Sequence, residues 1–150
     1  RRHPLACCFS GFKQHFARGQ NFSYSLDDIG RYYCDYVELM AHFDDVFERI
    51  GLSGRVHRAI HERMVDDTEA EVRRLLDYCG LPFEDACLRF YENDRPVRTA
   101  SSEQVRRPIN RDGLEQWKHY EPWLDPLKAA LGPVLATYPD APRFEDAPDG

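Results

Sequence analysis

The sequence predicts a helix-rich α/β chain that supplies the outer layers of a domain while most of the parallel sheet lies elsewhere. Three observations lead there. Apolar residues recur at helical spacing in several segments, only one short stretch alternates in the manner of a strand, and one strand cannot form a sheet. At 150 residues the chain has the length of one ordinary domain and can bury a real core.

The elements follow in order. Pro4 suits the first turn of a helix, and Cys8, Phe9, Phe12 and Phe16 continue it at helical spacing, which predicts a helix over about Leu5 to Arg18. Its aromatic stripe is core rather than ligand site. A loop over 18–25 leads to Ser25 or Asp27, either of which caps a long helix ending near Ile50. Ile29, Tyr32, Tyr33, Tyr36, Val37, Met40, Phe43 and Phe47 give that helix its period, and Gly51 to Gly54 break it. The stretch 55–60 (RVHRAI) is the expected strand, and Glu62 to Asp66 a helical turn. Thr68 then opens a helix with Val72, Leu75, Leu76 and Cys79 on one face, stopped by Gly80. A short helix is expected over Glu84 to Tyr91. Residues 93–110 show no period and hold Pro96 and Pro108, and long loops in compact domains are often functional. Two short helices are expected around Gly113 to His119 and Trp123 to Leu131. Residues 1–138 thus form the expected folded part, and 139–150, rich in Pro and Asp, a flexible tail.

Composition narrows the function classes. A formal charge of −6 excludes a general nucleic-acid binder, because phosphate backbones demand surplus Lys and Arg. Within 95–111, however, Arg95, Arg98, Arg106, Arg107 and Arg111 face Glu103 alone, which suits a small anion. No apolar run approaches the roughly 20 residues that cross a bilayer, so no membrane span is expected, and no signal peptide is visible. Cys7, Cys8, Cys34, Cys79 and Cys87 form no CxxC pair and sit mostly among apolar residues, which predicts reduced thiols and a cytoplasmic location. No His, Cys or acidic spacing predicts a metal site. The opening Arg1-Arg2-His3-Pro4 lacks an initiator Met, as expected of a processed chain or a piece of a longer one.

Two constellations carry chemistry. Arg2 with Pro4 is followed eight residues later by Ser10. An Arg at the end of a strand and a Ser on the first turns of the next helix can converge on one phosphate, the guanidinium as a fork and the hydroxyl and helix N-terminus as further donors. An Arg paired with a carboxylate is the alternative at this point. The second constellation is the loop Ser101-Ser102-Glu103-Gln104-Val105-Arg106-Arg107-Pro108-Ile109-Asn110, where hydroxyls, amides and arginines without regular structure can wrap a phosphate or purine.

In this order the motifs resemble the sulfotransferases that use 3′-phosphoadenosine 5′-phosphosulfate. Arg-x-Pro with Ser10 resembles their 3′-phosphate-binding segment. The stretch HERMVDDTEAEVRRLLDYCGLPF is similar to their Tyr-Glu-Asp-Leu, Asp-Pro and amphipathic helix ending in Cys-Gly-Leu-Pro. SSEQVRRPINRDGLEQW is similar to the nucleotide-covering loop of the tyrosylprotein branch and its bacterial relatives, often joined to tetratricopeptide repeats.

The resemblance runs from Arg2 to about Leu131 and implies the carboxyl-terminal portion of a P-loop-type sulfotransferase fold. It implies that Arg2 and Ser10 hold the 3′-phosphate and that His61 stands where the family has a Tyr near the nucleotide. Ser101, Gln104, Arg107 and Asn110 would lie over the nucleotide, with Trp117 as a packing anchor. The implied partners are the donor, its product 3′-phosphoadenosine 5′-phosphate, and a hydroxyl-bearing acceptor. His61 for Tyr, Arg63 for Asp and Thr68 for Pro depart from the family pattern. The family's Gly-rich phosphate loop has no counterpart, since Gly51-Leu52-Ser53-Gly54 lacks the Lys and the strand–helix context. The isolated chain is accordingly expected not to catalyse transfer, and no catalytic base is assigned. A non-catalytic nucleotide-binding or interaction module is the competing expectation.

Overall fold

The computed structural model describes residues 1–14, 16, 19–94, 96 and 104–144. They form two compact units: Arg1–Val56 with Gly113–Gly150, and His57–Asp112. The described residues are helical and contain no strand, in keeping with the helix-rich class.

In the first unit, α1 (Pro4–Phe12) starts on Pro4, whose missing N–H would be unsatisfied at this position anyway. The helix ends earlier than the apolar spacing suggested. Gly11 weakens its last turn, and the Gln14 N–H bonds back to the Gly11 carbonyl (3.1 Å) in the tighter three-residue pattern. A 3-10 turn (Asn21–Tyr24) leads into α2 (Leu26–Arg49). Ser25 Oγ accepts from the Asp28 N–H (3.3 Å), and Asp27 and Asp28 complement the positive end of the helix dipole. Gly51 ends it at positive φ (73°), which lets the Leu52 N–H reach the Phe47 carbonyl (2.7 Å).

The chain re-enters this unit at Gly113. The short helix expected around 113–119 is a 3-10 helix and runs over Gln116–Trp123. Pro122 inside it lacks the N–H that an α-turn would need. Then follow α5 (Asp125–Leu131) and a short helix absent from the sequence expectation, α6 (Pro133–Thr137), opened by a Pro at its start. Numbering in chain order leaves α3 and α4 to the second unit. Leu5, Cys8 and Phe9 of α1, Ile29, Tyr33 and Val37 of α2, and Leu124, Leu127, Leu131 and Val134 form one buried cluster. Leu127 and Leu131 are completely buried, each stabilising by roughly 1.5–3 kcal/mol. Ala141 and Phe144 pack against the edge of this cluster, and the Pro139 carbonyl accepts from Arg1 Nη1 (2.9 Å), whereas 145–150 lie outside the described residues.

The second unit holds α3 (His61–Asp66) and α4 (Thr68–Cys79). Asp67 caps α4 through the Ala70 N–H (3.0 Å). Gly80, at φ 67°, closes it with bonds from Gly80 N to Asp77 O (3.1 Å) and Leu81 N to Leu76 O (2.9 Å). The helix expected over 84–91 is a 3-10 helix (Asp85–Glu92), kinked at Arg89. The strand expected over 55–60 is not formed. Ile60 has extended torsions (φ −96°, ψ 120°), but a strand needs a neighbour to pair its N–H and C=O groups, and none exists among the described residues.

Helices α2 and α5 approach closely at Gly30. A Cβ on Gly30 would lie 2.7 Å from the Ala130 Cβ and 3.2 Å from Leu127 Cδ1. Gly30→Ala should therefore destabilise by about 1–3 kcal/mol through overpacking, outweighing the roughly 1 kcal/mol gain in helix propensity. Denaturant midpoints will show this, with Ala130→Gly partly rescuing the variant. A higher midpoint for Gly30→Ala alone would refute the close approach.

Candidate functional site

Arg2 lies immediately before α1, and three groups fix it. The Tyr33 hydroxyl, one turn beyond Gly30 on α2, donates to the Arg2 carbonyl (2.7 Å). The neighbouring His3 ring stacks on Trp117 (centroids 5.4 Å apart, 5° between planes) and meets Tyr138 edge-on (5.3 Å). Arg2 Nη2 donates to the Gly113 carbonyl. Arg2 Nε is buried with no hydrogen-bond partner among the described residues. Leaving a buried donor unsatisfied costs about 1–3 kcal/mol, more when it is charged, so an unmatched guanidinium N–H marks a place that an anionic acceptor would complete.

Ser10 is half-buried towards the carboxyl end of α1. At about 1.5 Å per residue it stands roughly 9 Å beyond Pro4 along the helix axis, and no hydrogen bond joins it to Arg2. Among the described residues no carboxylate pairs with Arg2, so its charge is intact.

The other expected site residues belong to the second unit. His61 is the first residue of α3 and half-buried. Gln104 opens a short 3-10 helix (Gln104–Arg106), and Ser101 lies outside the described residues. Arg107 is exposed and has no hydrogen-bond or ion-pair partner among the described residues. Asn110 serves its own turn: its Oδ1 accepts from the Asp112 N–H (3.1 Å), and its amide donates weakly to the Pro108 carbonyl (3.5 Å). Two flanking arginines are tied down, Arg106 to the Asn93 carbonyl and Arg111 to the Asp66 carboxylate.

Each unit thus carries part of the expected set, Arg2 with Ser10 in one and His61, Gln104, Arg107 and Asn110 in the other. The sequence argument did not find Tyr33, Gly113 or Asp66. A backbone carbonyl has no side-chain signature, and the Tyr33 and Asp66 contacts join distant positions. No cluster of three or more His, Cys, Asp or Glu able to hold a metal exists among the described residues. No helix among them is long and apolar enough to cross a membrane.

Burial governs the titration of the groups beneath Arg2. It pushes the Tyr33 phenol well up, with Cys7 adding to the shift and Arg1 opposing it. Burial likewise raises the Cys8 thiol, reinforced by Cys7 and Cys34. The Cys34 thiol is also raised by burial, then by Asp35 and Glu38. All five cysteines are free. With their pKa values raised, the Cys8 and Cys34 thiols are protonated at neutral pH and are not activated nucleophiles.

Comparison with known proteins adds two findings. A model described as "Sulfotransferase family" matches residues 1–85, more than half of the chain. An uncharacterized protein of Aquifex aeolicus (strain VF5) is 34% identical over 151 residues, covering 97% of this chain and 19% of the relative. The chain therefore spans about a fifth of the length of that relative.

The raised Tyr33 and Cys8 values have a definite sign. The unfolded chain loses these protons at lower pH than the folded one, so stability is full below about pH 9 and falls as pH rises through the ordinary thiol and phenol range. Tyr33→Phe should lose about 1 kcal/mol at pH 7 with its hydrogen bond to Arg2, yet lose less than the parent between pH 9 and 11. Urea midpoints across pH measure both. An equal alkaline decline in parent and variant would remove Tyr33 as a source.

Proposed function

Because the chain belongs to the sulfotransferase family, we propose that it is part of an enzyme moving a sulfuryl group from 3′-phosphoadenosine 5′-phosphosulfate to a hydroxyl acceptor. Its own share is to grip the 3′-phosphate and cover the nucleotide. The observation that carries this reading is the Arg2 guanidinium, pinned at the entrance of α1 with Nε buried and unmatched. An arginine held this way has a phosphate-shaped deficit: a planar fork, one edge anchored, and a charge that no carboxylate neutralises.

Arg2 would bind the 3′-phosphate, the N–H groups of the first turn of α1 would add their partial positive charge, and the Ser10 hydroxyl would supply a further donor. The family likeness would give Arg107, which is exposed, and Gln104 and Ser101 to the loop over the nucleotide. His61, at the start of α3, provides a ring in place of the family's Tyr. When bound, the donor supplies the transferable sulfuryl group. What these residues do is hold the nucleotide in place, so their contribution is positioning and electrostatic relief at the phosphate. No residue is assigned as base for the acceptor hydroxyl.

A second reading, a degenerate, non-catalytic nucleotide-binding or interaction module, draws on one observation. Of the loop's described arginines, Arg106 and Arg111 are committed to protein oxygens and Arg107 alone is not. Turnover assays on the product of the complete gene, read upstream of Arg1, separate the two readings.

The nucleotide claim is testable on the chain itself. Ligands that bind the folded state alone raise its melting temperature by mass action. 3′-phosphoadenosine 5′-phosphate should do so, adenosine 5′-monophosphate much less, and Arg2→Ala should weaken the first nucleotide by roughly 10- to 100-fold, the loss of one hydrogen-bonded charge. Equal shifts by both nucleotides, or no effect of Arg2→Ala, would defeat the assignment of Arg2 to the 3′-phosphate.

A further inference from the structure

We infer that Gly113 is a positioning residue for the phosphate-binding arginine: its carbonyl orients the Arg2 guanidinium, and its missing side chain leaves room for it. The inference rests on the proposed 3′-phosphate role of Arg2. Three observations converge. The Gly113 carbonyl accepts from Arg2 Nη2. A Cβ on Gly113 would come within 2.9 Å of that nitrogen and 3.8 Å of Cζ, and these are the contacts within 4 Å that such a Cβ would meet. Gly113 does not have positive φ, so its backbone conformation is open to any residue and gives no other reason for glycine.

The surroundings make this more than a chance contact. Four residues after Gly113, Trp117 stacks on His3, so the same short segment holds both the side chain of Arg2 and the ring beside it. On the opposite side the Tyr33 hydroxyl fixes the Arg2 carbonyl. Backbone and guanidinium are therefore held independently, by α2 and by the segment that begins at Gly113. With Nη2 anchored, rotation about the last side-chain bonds is curtailed and Nε keeps one direction. A phosphate then meets a fork whose orientation entropy is already largely lost, which is the general route by which preorganisation strengthens binding.

A neutral carbonyl suits this task better than a carboxylate. It fixes direction while leaving the positive charge for the ligand, whereas a carboxylate would cancel that charge and compete for the fork. Alanine at 113 would force the guanidinium tip aside, a cheap movement for a flexible side chain. The expected damage is therefore to binding rather than to folding.

The test compares affinities of the chain for 3′-phosphoadenosine 5′-phosphate and adenosine 5′-monophosphate by titration calorimetry. Gly113→Ala should weaken the former about tenfold, on the scale of one hydrogen bond to a charged group, and leave the latter unchanged. In an Arg2→Ala background the same substitution should have no further effect. The Arg2 Nε–Hε resonance in 15N spectra should shift in Gly113→Ala without any nucleotide present. If Gly113→Ala fails to fold, the double variant, from which the clashing atom is gone, should fold again. A Gly113→Ala variant with unaltered affinity ratio and unaltered Nε resonance overturns the inference, as does a double variant that stays unfolded. If the parent binds neither nucleotide, the 3′-phosphate reading fails first and this inference falls with it.

Discussion

The approach of α2 to α5 at Gly30 is the constraint on which the first unit depends. With hydrogen in place of a side chain there, Leu127 and Ala130 lie directly against the α2 backbone. That contact fixes the rotation of α2, and the rotation decides what its next turn can reach. Tyr33 follows three residues later on nearly the same face, and its hydroxyl is thereby brought to the Arg2 carbonyl. On the other side, the position of α5 sets where the preceding 3-10 helix runs, and so where Trp117 meets His3. Packing at one glycine is thus transmitted through two short covalent paths to the two residues that precede α1.

The two units are held together internally by different physics. The first has a contiguous apolar cluster drawn from α1, α2, α5 and α6. In the second, Ile60 is the one buried apolar side chain among the described residues. Its order comes from local terms: the Asp67 cap, the Gly80 stop, the Arg73–Glu69 and Arg74–Glu71 pairs (2.7 and 2.8 Å), and Arg73 over the Phe83 ring (3.6 Å). Exposed ion pairs contribute roughly 0–1 kcal/mol each and caps about 1 kcal/mol, so none dominates. The Arg74–Glu71 pair differs in that Glu71 is buried, and an opposite charge must stay beside it. Structure built from such increments is sensitive to any one of them in proportion, whereas the first unit would fail through its core.

What the sequence made legible follows the same division. The α2 helix was evident because its apolar period, a cap at Ser25 or Asp27 and the Gly51 stop all agree, and α4 because Thr68 and Gly80 bracket its stripe. The stretch 55–60 misled because alternation describes a half-buried surface without supplying a neighbour to pair with. The shortening of α1 turned on Gly11, whose weak helical preference competed with a persuasive row of aromatics. Pro122 made an expected short helix a 3-10 helix, and α6 was too short to have a period. Of the candidate site, Arg2 and Ser10 stood out through family likeness more than through spacing, since Arg and Ser are common. The partners that orient Arg2 were invisible: a carbonyl at 113 and a hydroxyl at 33 become neighbours of residue 2 only once α2 and α5 have packed.

The arginines of this chain show how one protein assigns the same side chain to different work. Arg111 faces the Asp66 carboxylate in an exposed ion pair, which adds little to stability but sets an opposite charge against the guanidinium. Arg106 gives a hydrogen bond to the Asn93 carbonyl, an uncharged acceptor. Arg107 has neither kind of partner among the described residues. Arg2 combines the useful parts of both bound cases: it is anchored like Arg111, but by a carbonyl as for Arg106, so direction is fixed and charge is retained. An anion approaching Arg111 must first displace a carboxylate, and one approaching Arg107 meets an exposed side chain that no contact among the described residues orients. One approaching Arg2 does neither, and gains a buried Nε–H that has no other acceptor. Of these four arginines Arg2 best suits the proposed phosphate role, and the reason lies in the uncharged oxygen that holds it.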